Sequence, residues 1–293
     1  VEFHLHESVR DHLDGGNATP LPIADAASTL RRATLSGSTT LAIVNTIESA
    51  ARMTDALRTT QGAEDAPVHL ADAVCAFWQE TTVAATDPGT QAQEYLEFLA
   101  ERTEAEPGAR RTLLATLTTR LRPRDRQLLL GALRQLLDSE QSTPFDDYAV
   151  LTVSTQLIEA GVDLSFDRLF RDFAPLSALV QAAGRCNRAF DGDIGTVTVW
   201  RLAGPEPNDQ VPSNLIYGQD SLLRPTRTAL DALRDDTETI TESALISEGV
   251  KKYYQALHAQ RQTTSRSDSL AASFNTGNGD RLREASLIDE QYE

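Results

Sequence analysis

Short apolar runs alternate along this chain with longer segments in which hydrophobic residues recur every three or four positions. The apolar runs predict strands over 40–44, 112–117, 148–153, 169–173 and 196–202. The longer segments predict helices over 47–57, 123–137 and 177–186, the second of which begins at Pro123, a residue favoured in a first helical turn. Strands that alternate with helices predict an α/β fold built on a parallel sheet.

Two stretches interrupt this alternation. Residues at about 60–110 are acidic and helical in pattern, which predicts a helical insertion between the first helix and the second strand. After Gly204 a linker rich in proline and asparagine precedes helical segments at 220–233 and 246–260 and a tail rich in serine and threonine. We therefore expect an N-terminal linker and helix at 1–36, a main domain at 37–205, and a mostly helical extension at 206–293 with a flexible tail.

The composition bears on habitat and compartment. The net charge is −16, yet 25 of the 27 basic residues are arginine. An acidic, lysine-poor surface is typical of proteins that work in high salt, so the charge does not exclude a nucleic-acid ligand. Cys75 and Cys186 fit no metal or redox spacing, which favours a reduced, cytoplasmic protein. No apolar run reaches the length of a membrane span, and we expect no membrane partner.

Other residue types give weaker indications. His4, His6 and His12 lack the spacing of a metal site, so we assign no metal ligand and expect packing or disorder there. Trp78 and Trp200 are expected in the core. Because the sequence begins at Val1 rather than methionine, we interpret it as a fragment or one part of a split protein.

Two arginines in a Gln181-x-x-Gly184-Arg185-x-x-Arg188 pattern are the first candidate for chemistry. On a helix, Gln181, Arg185 and Arg188 share one face. Arginine suits bidentate contacts with phosphate, and an arginine that reaches a γ-phosphate stabilises the charge that develops during hydrolysis. The alternative is a solvated basic helix end, where the helix dipole favours cations.

A polar turn after the predicted third strand is the second candidate. Ser154, Thr155 and Gln156 follow the strand, and Gly161 and Asp163 come shortly after. Hydroxyl side chains and main-chain N–H groups at such a turn can bind a nucleic-acid backbone, and Asp163 can accept a hydrogen bond from a ribose hydroxyl. An ordinary strand-to-helix turn capped by Thr155 is the alternative. Asn45 and Thr46 also lie just past a strand end, where ligands of parallel sheets bind.

A basic cluster is the third candidate. It is composed of arginines with Asp125 as the one acidic residue among them, and its members are Arg110, Arg111, Arg120, Arg122, Arg124, Arg126 and Arg134. In so acidic a chain this cluster favours a groove that follows a nucleic-acid backbone, although an exposed helix start would look similar. The sequence contains no Gly-x-x-x-x-Gly-Lys-Ser/Thr phosphate loop, no Asp-Glu-x-His motif and no His-Asp pair.

These motifs together resemble a known family. The runs VSTQLIEAGVDLSFD and RDFAPLSALVQAAGRCNR are similar to motifs V and VI of superfamily 2 helicases, and more narrowly to the CRISPR-associated helicase-nucleases of type I interference systems. LAIVNTIESAARMTDAL resembles motif IV of that family, and LTTRLRPRDRQ resembles the segment after its next strand. The resemblance covers about 37–58 and 111–202, omits the insertion, and is loose at REASLID near the carboxyl terminus.

The resemblance implies a RecA-like second lobe of a motor that hydrolyses ATP with Mg²⁺ and moves along single-stranded DNA. It also implies three partners: a first helicase lobe, an HD-type nuclease domain and a guide-RNA surveillance complex. Gln181, Arg185 and Arg188 would contact the ATP phosphates, with Gly161, Asp163 and Gly184 beside the nucleotide. Contacts with the DNA backbone are implied for Asn45, Thr46, Ser154, Thr155, Arg120 and Arg126. The family often has a histidine near Arg120, where this chain has Thr118-Thr119.

The phosphate loop, the magnesium carboxylates and the nuclease histidines of that family are missing from this sequence. We therefore expect the chain to neither bind ATP tightly nor hydrolyse it unaided, because ATP and Mg²⁺ would be held mainly by a first lobe. Two other functions remain open. One is a superfamily 2 DNA or RNA helicase lobe outside CRISPR, and the other is a non-catalytic nucleic-acid-binding module that has lost its motor half.

Overall fold

A computed structural model describes residues 1–15, 18–36, 39–59, 66–81, 87–103, 111–138, 140–159, 162–187, 194–206, 209–234 and 239–262. The strands in these residues are β1 (Glu2–Leu5), β2 (Thr40–Ile43), β3 (Val68–His69), β4 (Thr112–Leu117), β5 (Ala149–Ser154), β6 (Arg168–Asp172), β7 (Thr196–Trp200) and β8 (Thr239–Thr241). They form one sheet in the order β3-β4-β5-β2-β6-β7-β1-β8. Neighbouring strands are parallel except at β8, which is antiparallel to β1.

Helices cover both faces of the sheet. They are α1 (Glu7–Leu13), α2 (Ile23–Leu35), α3 (Ile47–Arg58), α4 (Val74–Glu80), α5 (Pro88–Glu101), α6 (Pro123–Leu136), α7 (Leu176–Ala183), α8 (Pro212–Tyr217), α9 (Arg224–Asp231), α10 (Glu242–Ala244) and α11 (Val250–Gln262). Two π-helical turns join α8 to α9 and α10 to α11. No helix in the described part of the chain is long and apolar enough to cross a membrane.

The core accounts for the mostly apolar sequences of the central strands. All four residues of β2 and all six of β5 are buried, as expected for parallel strands covered on both faces. On one face, Ala42, Val44 and Leu151 pack with residues of α2 and α3, and the fully buried Trp200 stacks on Phe170 with ring centroids 4.8 Å apart. The other face holds the larger cluster, which includes residues of α5, α6, α7 and α9.

The predicted parallel α/β fold is confirmed, and the five predicted strands correspond to β2, β4, β5, β6 and β7. Three further strands were not predicted. The segment predicted as a linker and helix contributes β1, the helical insertion contributes β3, and the helical extension contributes β8. These strands have four, two and three residues. β3 and β8 are too short for a periodic signal, and β1 has only Phe3 and Leu5 as apolar residues. Pairing in the sheet decides the conformation of all three.

The insertion is part of the same folded body. Leu70, Phe77 and Tyr95 are fully buried in the larger core cluster, and the Tyr95 hydroxyl donates to the carbonyl oxygen of Leu70. α5 packs closely on α6, where Gln135 Nε2 donates to the Gly89 carbonyl oxygen at 2.8 Å. The flexible tail predicted after Gln260 falls largely on 263–293, outside the described residues.

Candidate nucleotide and nucleic-acid site

The polar residues that follow β2, β5 and β6 meet at one edge of the sheet. β2 lies between β5 and β6, and Ile43 is in register with Ser154 on one side and Arg171 on the other. Because all three strands are parallel, the residues after them emerge together at the carboxyl edge. The structure therefore brings the predicted residues Asn45, Thr46, Ser154 and Thr155 into one region, as the sequence pattern suggested.

Asn45 has its side chain inside the fold. It is 3% exposed, and its amide nitrogen donates to Asp172 Oδ2 at 2.7 Å and to the Phe173 carbonyl oxygen at 2.9 Å. Its amide oxygen accepts from Arg171 Nη1 at 2.7 Å. The side chain predicted to touch a nucleic-acid backbone thus fixes the start of α3, and contact with such a ligand would have to use the main chain of this residue.

Arg171 is the centre of the buried polar group. The side chain is 0% exposed, its Nε lies 2.9 Å from Glu159 Oε1, and its Nη1 also donates to the Asp172 carbonyl oxygen at 2.8 Å. A buried guanidinium of this kind needs charged or polar partners around it, because desolvation of an unpaired charge is costly. Burial raises the pKa of Glu159, and the Arg171 charge opposes that rise.

The Asp172 carboxylate is fully buried and accepts three hydrogen bonds, and burial and hydrogen bonding have opposite effects on its pKa. Its Oδ1 accepts from the main-chain N–H groups of Phe173 and Leu202 at 3.0 and 3.1 Å. Burial is the largest effect on the carboxyl and raises its pKa to about 6, against the lowering effect of these donors and of Arg171. The carboxyl therefore holds the ends of β6 and β7 together and titrates at mildly acidic pH.

The C-terminal extension reaches this edge through Tyr217, the last residue of α8. Its hydroxyl lies 3.1 Å from Gln156 Nε2 and 3.3 Å from Arg171 Nη2, both of which donate to it. Gln156 Nε2 also donates to the Asn45 carbonyl oxygen at 3.1 Å. A single tyrosine thus connects the extension to the polar turn after β5 and to the buried arginine.

The side chains of Thr46, Ser154 and Thr155 differ in how accessible they are to a ligand. Thr46 caps α3 through its hydroxyl, which accepts from Ser49 N at 3.0 Å, and it is partly exposed. Ser154 is fully buried, and its hydroxyl donates to the Leu117 carbonyl oxygen at 3.0 Å. Thr155 is 5% exposed and does not cap the following 3-10 turn (Gln156–Ile158) through its side chain. Of the three, Thr46 is the most accessible.

The predicted helix over 177–186 is shorter than expected. α7 ends at Ala183, Gly184 is its C-cap, and the chain then returns to form a bridge between Cys186 and Phe166. Asn187 adopts a positive φ of 48°, a conformation more common for asparagine than for most residues. The prediction that Gln181 and Arg185 share one helical face is therefore wrong for Arg185, which lies in the turn after the helix.

Arg185 nevertheless reaches back towards the polar turn. Its Nη2 donates to the Glu159 carbonyl oxygen at 2.9 Å, and the residue is partly buried. Gln181, Gly184 and Asp163 are exposed at the surface. Arg188 and Gly161 lie outside the described residues, so their predicted roles in nucleotide binding stay predictions, as do those of Gln181, Gly184 and Asp163.

The basic cluster is divided in the structure: Arg120, Arg122, Arg124 and Arg126 lie between the carboxyl end of β4 and the first turns of α6, whereas Arg111 precedes β4 and Arg134 lies in the last turn of α6. Arg110 lies outside the described residues. Arg120 is exposed and Arg126 is partly exposed. Arg122 is paired with Asp125, with its Nε and Nη2 at 2.7 and 3.1 Å from the two carboxylate oxygens. Both predicted nucleic-acid contacts, Arg120 and Arg126, thus follow β4, whose carboxyl end pairs with that of β5.

Trp78, Trp200, His6 and His12, singled out in the sequence, have packing or capping roles in the structure. Trp200 is in the core as predicted, whereas Trp78 is only partly buried and carries the Arg124 guanidinium 3.5 Å from its ring centroid. His6 caps α1, and His12 packs edge-on against Phe173. Among the residues the structure describes, no group of three or more His, Cys, Asp or Glu side chains is arranged to hold a metal.

The polar residues that sequence reasoning missed are Glu159, Arg171, Asp172 and Tyr217. Arg171 and Asp172 had a visible signal, since two adjacent charges interrupt an otherwise apolar strand, LFRDF. A charge in a strand buried on both faces indicates a paired, internal role. Tyr217 gave no comparable signal, because its partners are far away in the sequence.

Comparisons with known proteins find relatives of this chain. A family model described as the CRISPR-associated nuclease/helicase Cas3, C-terminal, matches residues 75–191. The CRISPR-associated nuclease/helicase Cas3 of Haloferax volcanii is 30% identical over 311 aligned residues, which cover 98% of this chain and 32% of that protein. The chain thus spans about a third of the length of this relative.

Two crystal structures show the same fold. T. fusca Cas3-ADP has a TM-score of 0.51 at 18% identity, and the match covers 99% of this chain and 27% of that one. T. fusca Cas3 gives a TM-score of 0.51 at 18% identity, with 98% and 26% covered. The sequence matches and the fold together show that this chain belongs to the Cas3 family of CRISPR-associated nuclease/helicases and corresponds to its C-terminal helicase lobe.

Proposed function

We propose that this chain is the second motor lobe of an ATP-dependent helicase that moves along single-stranded DNA in CRISPR interference. One observation carries the proposal. Arg185, the expected phosphate contact, bonds to the Glu159 carbonyl oxygen at 2.9 Å, three residues after the Ser154-Thr155-Gln156 turn that is expected to bind DNA. A motor needs its nucleotide contact and its DNA contact to move together, and here they are joined by one short segment.

On the nucleotide side, Arg185 and Arg188 would stabilise the negative charge that builds on the γ-phosphate as it is transferred to water. Gln181 would add an amide donor, and Asp163 would accept from the ribose. The arginine and amide donors fit phosphate oxygens well, whereas the described residues offer no carboxylate cluster for Mg²⁺. ATP and Mg²⁺ would therefore be held mainly by a first lobe, in the same chain or another.

On the nucleic-acid side, the exposed parts of the carboxyl edge would contact the phosphate backbone. Thr46, Arg120 and Arg126 have accessible side chains that would make these contacts. Thr155 is 5% exposed and its N–H donates to the Leu117 carbonyl oxygen at 3.2 Å, so it would position the turn. Asn45 and Ser154 would act as positioning residues, since their side chains are bonded within the fold. Backbone contacts of this kind follow a strand without reading its sequence.

The remaining partners follow from the relatives rather than from contacts in this lobe. The Haloferax volcanii relative is a nuclease/helicase, so we propose that the lobe works beside a first helicase lobe and an HD-type nuclease domain. We also propose that a guide-RNA surveillance complex delivers the DNA on which the motor acts.

ATP hydrolysis by a protein that contains both lobes tests this proposal. Replacing Arg185 or Arg188 with alanine should reduce kcat for DNA-stimulated ATP hydrolysis by about 10³-fold, because an arginine at the γ-phosphate contributes on that order. Arg32→Ala is the matched control, since Arg32 is an exposed arginine of α2 with no role in the site. Wild-type turnover in both site variants would show that these arginines do not face the nucleotide.

A further inference from the structure

The Arg124 guanidinium lies over the Trp78 ring, beside the proposed DNA-binding edge. Its guanidinium carbon is 3.5 Å from the centroid of the indole, and Arg124 itself is exposed. The two residues come from different parts of the sequence, since Trp78 belongs to α4 and Arg124 to the first turn of α6. The stack therefore presents one free face of a planar cation to solvent.

The indole beneath Arg124 is held firmly. Trp78 Nε1 donates to Asp125 Oδ1 at 3.0 Å, and the Phe77 ring lies 5.0 Å away between centroids. The charge of Asp125 is engaged by Arg122, whose Nε is 2.7 Å from Oδ2. Within the described part of the chain, Arg124 forms no ion pair of its own. Arg124 does act electrostatically on Asp125, but that carboxylate is already bonded to Trp78 and Arg122, and the exposed Arg124 guanidinium remains accessible to a ligand.

A second arginine in this fold also lies over an aromatic ring, but its charge is neutralised by neighbouring carboxylates. Arg102 lies 3.5 Å above the Phe98 ring centroid, in the same geometry as Arg124 on Trp78. Its guanidinium is bonded to Glu80, and Glu101 lies 4.0 Å away. Two carboxylates surround that cation and would repel a polyanion. Among the described residues, Arg124 has no carboxylate at ion-pair distance, and the one that it influences, Asp125, is paired with Arg122.

The position of the stack relative to the sheet points to its ligand. β4, β5 and β2 are neighbours in the sheet, so the residues after them form a row at the carboxyl edge. Adjacent strands are about 4.8 Å apart, which places the ends of β2 and β4 roughly 10 Å apart. A nucleic-acid strand that follows Thr46, Thr155 and Arg120 across this row would next meet Arg124.

We infer that Arg124, supported by Trp78, is a stacking platform for one base of the single-stranded nucleic acid. Bases stack on arginine planes as they do on aromatic rings, and such stacking tolerates any sequence because every base has a π-face. The arginine would also offset the repulsion between a polyanion and a chain of net charge −16. This inference rests on the proposed function, and it adds a base contact to a site otherwise made of backbone contacts.

Binding of two matched oligonucleotides to this chain tests the inference. One is a labelled oligothymidylate, and the other has the same backbone with abasic sites in place of the bases. Fluorescence anisotropy at fixed salt should show tighter binding of the base-bearing strand by the wild type. Arg124→Lys keeps the charge but loses the plane, so it should reduce this preference by about 5-fold or more, in line with the value of one stacked base. Binding of the abasic strand should change little.

Arg102→Lys is the matched control, because it makes the same substitution in the other stacked pair and should leave the preference unchanged. Equal preference for the base-bearing strand in Arg124→Lys and wild type would overturn the stacking inference while leaving the proposed function intact. Failure of the wild-type chain to bind either strand would overturn both.

Tryptophan emission gives a second, direct readout. The chain has two tryptophans, and Trp200 is fully buried in the core, so a change in emission on DNA binding reports on Trp78. We expect a change with the base-bearing strand and a much smaller one with the abasic strand. Trp78→Phe should abolish it. The same emission change with both strands would contradict a base contact at this position.

Discussion

At the scale of single residues, the carboxyl edge of the sheet is held by charges that are hidden from solvent. Arg171 is enclosed by Glu159, Asn45 and Tyr217, and each of its contacts joins a different segment of the chain. A buried charge group of this type contributes little net stability, but removing one member leaves the others unpaired and is costly. We therefore propose that Arg171 and its partners hold in place the loops that carry the exposed residues of the site.

Asp172 predicts how stability depends on pH. Its pKa is about 6 in the folded protein because the carboxyl is buried, whereas an unfolded chain has a carboxyl pKa of about 3.9. Between these values the folded state binds more protons than the unfolded state, so the contribution of Asp172 to the free energy of unfolding falls as pH rises from about 4 to about 6. A difference of two pKa units between the folded and unfolded states corresponds to a change of about 3 kcal/mol in the free energy of unfolding.

Urea unfolding of the wild type and Asp172→Asn between pH 4 and 7.5 measures this contribution. Asparagine cannot titrate, so the wild type should lose about 3 kcal/mol relative to the variant across that window and then show no further relative change. Other carboxyl groups affect both proteins and cancel in the difference. A difference that stays constant with pH would mean that the Asp172 pKa is not raised.

At the scale of elements, the stretch predicted as an insertion is a structural part of the lobe. Gly131 of α6 lies so close to α5 that a Cβ at this position would be 2.9 Å from the Cβ of Ala92 and 3.4 Å from the Pro88 carbonyl oxygen. No flexible side chain is present there to move aside. The two helices can approach this closely only because one of them has no side chain at the contact.

Gly131→Ala should therefore destabilise the protein. In an unpacked helix this substitution raises stability by about 1 kcal/mol, but overpacking at the α5–α6 contact should produce a net loss of about 1–3 kcal/mol. Urea unfolding measures the effect. The double variant Gly131→Ala/Ala92→Gly removes the collision and should recover much of the loss. A single variant more stable than the wild type would contradict the close packing of α5 on α6.

The end of α7 shows how an element boundary changes a site. The motif around Arg185 suggested a helical face shared with Gln181, but the helix stops at Ala183 and Arg185 lies in the turn that follows. The sequence contained a sign of this in Gly184, since glycine is common at helix ends. What it lacked was the pairing of Cys186 with Phe166, a contact between distant residues that draws the chain away from the helix axis.

At the scale of the whole molecule, the predictable part of the fold is the part buried on both faces. β2 and β5 are buried at every position and mostly apolar, with threonine and serine as their only polar residues, a composition typical of central parallel strands. β3 and β8 have only two and three residues, and β1 has only two apolar residues, Phe3 and Leu5, so these strands carry no clear pattern. The ends of the predicted strands were enough to predict where the site lies. The buried role of the Asn45 side chain could not be predicted, because its partners Arg171 and Asp172 lie 126 and 127 residues away in the sequence.

The extension after β7 is bound to the lobe at several places, including the contact of Leu176 N with Thr226 and the ion pair of Arg234 with Asp14. β8 pairs with β1 at the far edge of the sheet, and Tyr217 bonds to Gln156 and Arg171 at the carboxyl edge. A movement of the extension would thus displace the turn that we expect to bind DNA. This arrangement makes the lobe and the extension one mechanical unit in the proposed motor.

The central claim is that this chain provides half of an ATP site, and ATP turnover with and without a first lobe tests it most directly. The purified chain alone should show no ATP hydrolysis above background, with or without single-stranded DNA, because the sequence contains no phosphate loop. The same chain joined to or mixed with a first lobe of a Cas3 relative should hydrolyse ATP and be stimulated by single-stranded DNA. Turnover by the chain alone, or a combined protein that single-stranded DNA does not stimulate, would contradict the account.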